Sequence, residues 1–106
     1  MTQQQLKDIL LELSFASKSI ANGSDLRNVM NKYDMLFLGE NFNLIYSSEL
    51  RHTLKDYFGI EVSNEDLNHL VPLVCKDLGL ECSSMYAVSD LSNPDRKPYC
   101  YQIKLW

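Results

Sequence analysis

Near the C-terminal end, Tyr99, Tyr101, Ile103 and Leu105 alternate with Cys100, Gln102, Lys104 and Trp106. That period of two belongs to a half-buried strand. Leu80, Cys82, Tyr86 and Val88 predict a preceding strand facing the same side, and the connection from Asp90 to Lys97 contains Asn93-Pro94-Asp95, a turn by composition. The pattern predicts an antiparallel hairpin with Tyr86 near Tyr101 and Val88 near Tyr99. This register places both apolar rows on one side.

Upstream, the period changes to that of helices. Thr2 with Gln5 forms a capping box, and Leu6, Ile9, Leu10, Leu13, Ala16 and Ile20 predict a helix over about residues 3 to 21, stopped by Asn22-Gly23. Ser24 caps a second segment, carrying Leu26, Val29, Met30 and Tyr33, that runs to about Phe37 before Gly39-Glu40-Asn41 breaks it. Phe42 to Tyr46 is a short apolar strand. Ser47 or Ser48 caps a third helix with Leu50, Leu54, Tyr57 and Phe58, ended by Gly59. After the turn Ile60-Glu61-Val62, Ser63 with Asp66 opens a fourth helix whose buried face is Leu67, Leu70, Val71, Val74 and Leu78, with Gly79 as its stop. Pro72 conflicts with a straight helix at a cost of roughly 3 kcal/mol, so a kink or two abutting helices are expected near Leu70. The sum is a single α+β domain with a helical N-terminal part and a C-terminal hairpin.

The chain has 106 residues, 45% hydrophobic and 23% charged, the size and composition of one globular domain with a modest core. No apolar run approaches the roughly 20 residues that cross a bilayer. The polar start Met1-Thr2-Gln3-Gln4-Gln5 lacks the basic flank of a signal peptide. The expectation is a cytoplasmic protein with no membrane contact. Cys75, Cys82 and Cys100 are odd in number and not closely spaced, so they read as free buried thiols rather than a disulfide framework.

Signals for catalysis are nearly absent. There is no glycine-rich phosphate loop, nucleophile elbow or paired-histidine motif. His52 and His69 fall on predicted helices beside charged neighbours, where solvated or capping roles prevail. His69, Cys75, Cys82 and Cys100 lack the close Cys-x-x-Cys pairs of a structural zinc site. A Cys-His nucleophile stays open, because such partners meet in space and not in the chain. The reading is therefore of a non-enzyme with no catalytic residue, cofactor or metal.

The run from Leu50-Arg51-His52 through Phe58-Gly59-Ile60 to Ser63-Asn64-Glu65-Asp66-Leu67 resembles the helix, glycine-containing turn and capped second helix of winged helix-turn-helix folds. The resemblance covers roughly residues 24 to 106 and leaves residues 1 to 22 as an extra N-terminal helix. It implies that residues 64 to 78 stand in the place of the recognition helix and that Asp90 to Lys97 form the wing. Charge argues against DNA reading. Residues 61 to 79 hold Glu61, Glu65, Asp66 and Asp77 against the cation Lys76, and the whole chain has 14 acids against 10 bases, a net charge of -4. Such a surface repels phosphate and predicts weak or no DNA binding. Arg96 and Lys97, with Lys104 on the adjoining strand, are the candidate nucleic-acid contacts.

The alternative partner is protein. Glu65, Asp66 and Asp77 suit a basic groove, while Trp106, on the opposite strand face from Tyr99 and Tyr101, is a candidate interface anchor. Tyr99 and Tyr101 themselves are expected to pack on the helices. A small acidic domain without catalytic motifs is similar in type to phage and mobile-element inhibitors, such as anti-CRISPR or anti-restriction proteins. The expected function is a non-enzymatic protein-binding module, of the kind that inhibits a nucleic-acid-handling enzyme such as a CRISPR effector. The alternative is a winged-helix transcription regulator that contacts DNA through the hairpin loop and forms a homodimer through its first helix.

Overall fold

The computed structural model describes residues 1–106 and is α+β, with four α-helices and a three-stranded antiparallel sheet. Helix α1 (Gln3–Lys18) begins at the capping box: Thr2 Oγ1 accepts the Gln5 N–H at 3.1 Å, and the Gln5 side chain accepts the Thr2 N–H at 2.9 Å. Its stripe of Leu6, Ile9, Leu10 and Leu13 is buried.

Helix α2 (Gly23–Tyr33) is capped by Asn22, whose Oδ1 accepts the Asp25 N–H at 2.9 Å, and not by Ser24. It stops at Asp34, which takes a left-handed φ of 50°, well before Phe37. The reason is tertiary. Tyr33, Met35 and Phe37 are buried while Asp34 and Leu36 are exposed, a period of two that only an extended chain provides, and Leu38 then bridges to Leu44.

Strand β1 (Leu44–Tyr46) runs directly into α3 (Ser47–Asp56), whose N-cap is Tyr46 with no side-chain hydrogen bond. Neither serine caps this helix. Ser47 is buried, and its Oγ accepts the Tyr101 N–H at 2.8 Å, joining the helix start to the sheet. Helix α4 (Asn64–Leu78) opens as expected, with Ser63 Oγ accepting the Asp66 N–H at 3.1 Å. It is one continuous helix through Pro72 and not two abutting ones. Burial of Leu67, Val71, Val74 and Cys75, at roughly 1.5–3 kcal/mol for each large apolar side chain, outweighs the proline's cost of about 3 kcal/mol. Gly79 ends it with a φ of 72°, donating its N–H to the Cys75 and Lys76 carbonyls.

Strands β2 (Glu81–Met85) and β3 (Cys100–Lys104) complete the sheet in the order β1-β3-β2. Cys82 pairs with Ile103 and Ser84 with Tyr101. Tyr101 therefore meets Ser84 and not Tyr86, a slip of two residues from the expected register. A slip of two keeps every side chain on its face, so hydrophobic alternation alone cannot detect it. The strand ends early because the Tyr99 N–H, bonded to the Met85 carbonyl at 2.7 Å, closes the hairpin there. Val88 falls in a short 3-10 turn (Val88–Asp90) instead of in a strand. Cys100 is buried although it alternates with Tyr101; it lies on the central strand, flanked by β1 and β2.

The core is built by α1, α3, α4, the sheet and the extended segment after α2, whereas α2 itself contributes only Tyr33 as a buried residue. Two α1 hydroxyls reach across the fold: Ser14 Oγ donates to the Leu105 carbonyl at 3.0 Å and Ser17 Oγ to the Phe42 carbonyl at 2.7 Å. No helix is long and apolar enough to cross a membrane.

Burial also sets the alkaline limit of stability. The Tyr33 ring is buried and its hydroxyl donates to Glu12 Oε2 at 3.0 Å, so burial and the neighbouring carboxylate push the phenol above its ordinary value near 10. Burial raises Tyr101 in the same direction. Both phenols are neutral in the folded and unfolded chains at pH 7. As pH rises past about 10, the unfolded tyrosines ionise first and the unfolded state gains. The denaturant midpoint is expected to stay level up to about pH 9 and to fall beyond pH 10. Tyr33→Phe should flatten part of that decline; an unchanged profile in the variant would remove Tyr33 from the account.

Candidate protein-binding surface

Five of the eleven exposed large hydrophobic side chains lie at the hairpin end: Met85, Tyr86, Val88, Leu91 and Tyr99. Val88 is 85% exposed, Leu91 57% and Tyr99 60%. The connection that carries them is ordered by its own short-range bonds. Asn93 Oδ1 accepts the Asp95 N–H at 3.0 Å, the Asn93 carbonyl accepts the Arg96 N–H at 3.2 Å, and the Arg96 guanidinium lies 4.8 Å from the Tyr86 ring centroid. The hairpin base is held to α4 by Asn68, whose Nδ2 donates to the Tyr99 and Pro98 carbonyls at 3.1 and 3.3 Å. The apolar side chains are therefore presented on a positioned loop.

Tyr99 also walls a polar groove of about 750 Å³ bounded by Arg51, His52 and Lys55 of α3 and by Glu61 and Asn64 at the entry to α4. Arg51 Nε donates to the Val62 carbonyl at 2.9 Å, and Lys55 Nζ lies 3.5 Å from Glu61 Oε1. One ion pair is thus internal to the groove wall. Being exposed, it adds little stability.

The three expected acidic residues do not form one patch. Glu65 and Asp66 are exposed on the first turn of α4, but Asp77 lies eleven positions beyond Asp66, roughly 16 Å along the axis. There its carboxylate is 3.1 Å from Lys7 Nζ of α1. Trp106 is 42% exposed and its indole N–H donates to Ser17 Oγ at 2.9 Å, so the ring is held by α1. Lys104 faces Glu81 across the ladder at 3.9 Å, at the far end of β3 from Arg96 and Lys97. Tyr101 packs against the core as expected; Tyr99 does not, because it precedes the strand and sits at the hairpin mouth. His52 and His69 are exposed on their helices, and no group of three or more His, Cys, Asp or Glu side chains is arranged to hold a metal ion.

Two features escaped the sequence reading. Leu91 stands in an otherwise polar connection, which was the available signal for an exposed apolar anchor. Arg51 and Lys55, four apart on α3, share one helical face, and that spacing was the signal for a cationic groove wall. No protein-family model matches this chain, and neither does any curated protein or solved structure.

Proposed function

We propose that this chain is a non-enzymatic protein-binding module with a winged-helix-like fold, which docks the end of its hairpin into an apolar pocket of its partner. The observation that carries this reading is the exposure of Met85, Tyr86, Val88, Leu91 and Tyr99 along the end of β2 and the hairpin connection. Side chains of this kind, buried at an interface with aromatic anchors among them, supply most of a typical binding energy. The helix and strand order, with β3 between β1 and β2, supports the winged-helix reading. The sequence leaves residues 1 to 22 as an extra helix outside a winged-helix core of residues 24 to 106; because α1 places Leu6, Ile9, Leu10 and Leu13 in the core and α2 only Tyr33, we revise that assignment, with α1 in the place of the first core helix and α2 as an insertion. Helix α4 would then offer Glu65, Asp66 and Leu73 where a DNA reader offers cations. The net charge of -4 supports a partner with a basic groove, and with it a phage-type inhibitor of a nucleic-acid-handling enzyme such as a CRISPR effector.

One observation favours a second reading, a winged-helix DNA-binding regulator. Arg51 and Lys55 line the groove beside the α4 N-terminus, where a phosphate backbone could lie. Hydrogen exchange on the chain with a captured protein partner, run beside a mobility shift on duplex DNA, separates the two. Protection confined to residues 85–99 with no sub-micromolar DNA complex at about 0.15 M salt is the expected result. A tight, strongly salt-dependent DNA complex with protection on α3 and α4 would overturn it.

A further inference from the structure

Cys75 is buried on the last turn of α4, and Cys82 is half-buried on β2. Gly79 turns the chain back on itself, and the Leu80 N–H donates to the Cys75 carbonyl at 2.8 Å, so β2 leaves directly beside the helix end. Across the ladder Cys82 faces Ile103, a fully buried residue of the same core cluster as Cys75, which puts the Cys82 side chain on the helix-covered face of the sheet. Cys82 packs against the core cluster that contains Cys75, so the two thiols share one region between the helix end and the sheet. The neighbouring Cys82 thiol, with burial, pushes the Cys75 thiol up and keeps its proton in place. The neighbouring Cys75 thiol in turn draws Cys82 below its ordinary value, which favours the thiolate on the more accessible sulfur.

We infer that Cys75 and Cys82 form an oxidative modification site, at which a hydroperoxide closes an intramolecular disulfide between α4 and β2. Cys82 thiolate attacks one peroxide oxygen. The S–O bond forms as the O–O bond breaks, and the departing oxygen takes up a proton and leaves as an alcohol, or as water when the oxidant is hydrogen peroxide. The resulting Cys82 sulfenic acid sits against Cys75, whose sulfur attacks it; the S–S bond forms, the S–O bond breaks, and the hydroxide leaves as water with the Cys75 proton. The two thiols are oxidised by two electrons and the peroxide is reduced by two. Cys82 is the attacking thiol because it is the more accessible, and Cys75 is the resolving thiol because it is buried against it. Cys100, buried on a different strand, takes no part.

Peptide mapping tests this on the intact folded protein. Trypsin cuts after Lys55, Lys76 and Arg96, so Cys75 and Cys82 fall on separate peptides, 56–76 and 77–96, and Cys100 on a third. After exposure of the native chain to hydrogen peroxide, peptides 56–76 and 77–96 should migrate as one species lighter by two hydrogens than their sum. Dithiothreitol should separate them, and the Cys100 peptide should remain a free thiol. Native protein should form the link faster than the same chain in guanidinium, because the fold supplies the contact. Cys75→Ser should instead leave Cys82 as sulfenic and sulfinic acid without a link. The inference is overturned if wild-type Cys82 accumulates as sulfinic acid unlinked, if only intermolecular disulfides appear, or if the native chain reacts no faster than the unfolded one.

Discussion

Replacing Val88 and Leu91 together by aspartate is expected to abolish partner capture while leaving the thermal melt almost unchanged. Both side chains project from the hairpin connection, so folding gains little from them, and exposed substitutions of this kind usually stay within about 0.5 kcal/mol. Docked into an apolar pocket, each would contribute roughly 1.5–3 kcal/mol by burial. Losing both removes about 4 kcal/mol, or roughly a thousandfold in Kd, before the cost of desolvating two carboxylates is added. Titration calorimetry with the identified partner measures the loss, and circular dichroism melting is the control. A variant that melts like wild type and binds with unchanged affinity would show that the hairpin end is not the dock. The groove walled by Arg51 and Lys55 would then be the surface to mutate next.

The second large effect concerns α1. Leu10→Ala is expected to destabilise the domain by about 3–4 kcal/mol, because Leu10 is fully buried in the core cluster and its truncation leaves a cavity there. For a domain of this size that loss lowers the melting temperature by roughly 15 °C. Leu26→Ala on α2, where the side chain is only partly buried, should cost about 1 kcal/mol. Equal losses for the two variants, or a larger one at Leu26, would mean that α1 is an appendage and α2 the core helix. The contrast comes from burial and not from propensity. Both helices have good caps, but only α1 places four side chains in the core.

The parts of the fold legible in the sequence are those decided within one turn of chain. Thr2 with Gln5 and Ser63 with Asp66 mark helix starts through bonds spanning three residues, and Gly79 marks an end through its own φ. Elements decided across the fold were not legible. Ser47 looks like a cap, yet its hydroxyl is taken by Tyr101, 54 positions away. Asp34 ends α2 because Met35 and Phe37 are drawn inward, which no local rule announces. The hairpin register was off by two because alternation fixes the face and leaves the pairing free. Arg96 and Lys97 fall in the hairpin connection, as the turn composition predicts, whereas the position of Tyr99 beside α3 and of Cys82 beside the helix end that carries Cys75 depends on a chain path the pattern does not contain.

The hydrogen bonds from Ser14 to Leu105 and from Trp106 to Ser17 join positions 91 and 89 residues apart. On the ribosome, α1 therefore emerges long before these partners exist. At about 5–20 residues per second the wait is roughly 5–20 s, far longer than a helix needs to form. Throughout that interval Leu6, Ile9, Leu10 and Leu13 form an apolar stripe with no native cover. Helix α4 supplies part of it some 60 residues later, and Leu105 and Trp106, just after β3, tie down α1 last. The nascent chain thus passes through a stage in which this apolar face is made well before its cover, and the order of synthesis, more than the final packing, makes α1 a segment that a chaperone has time to reach.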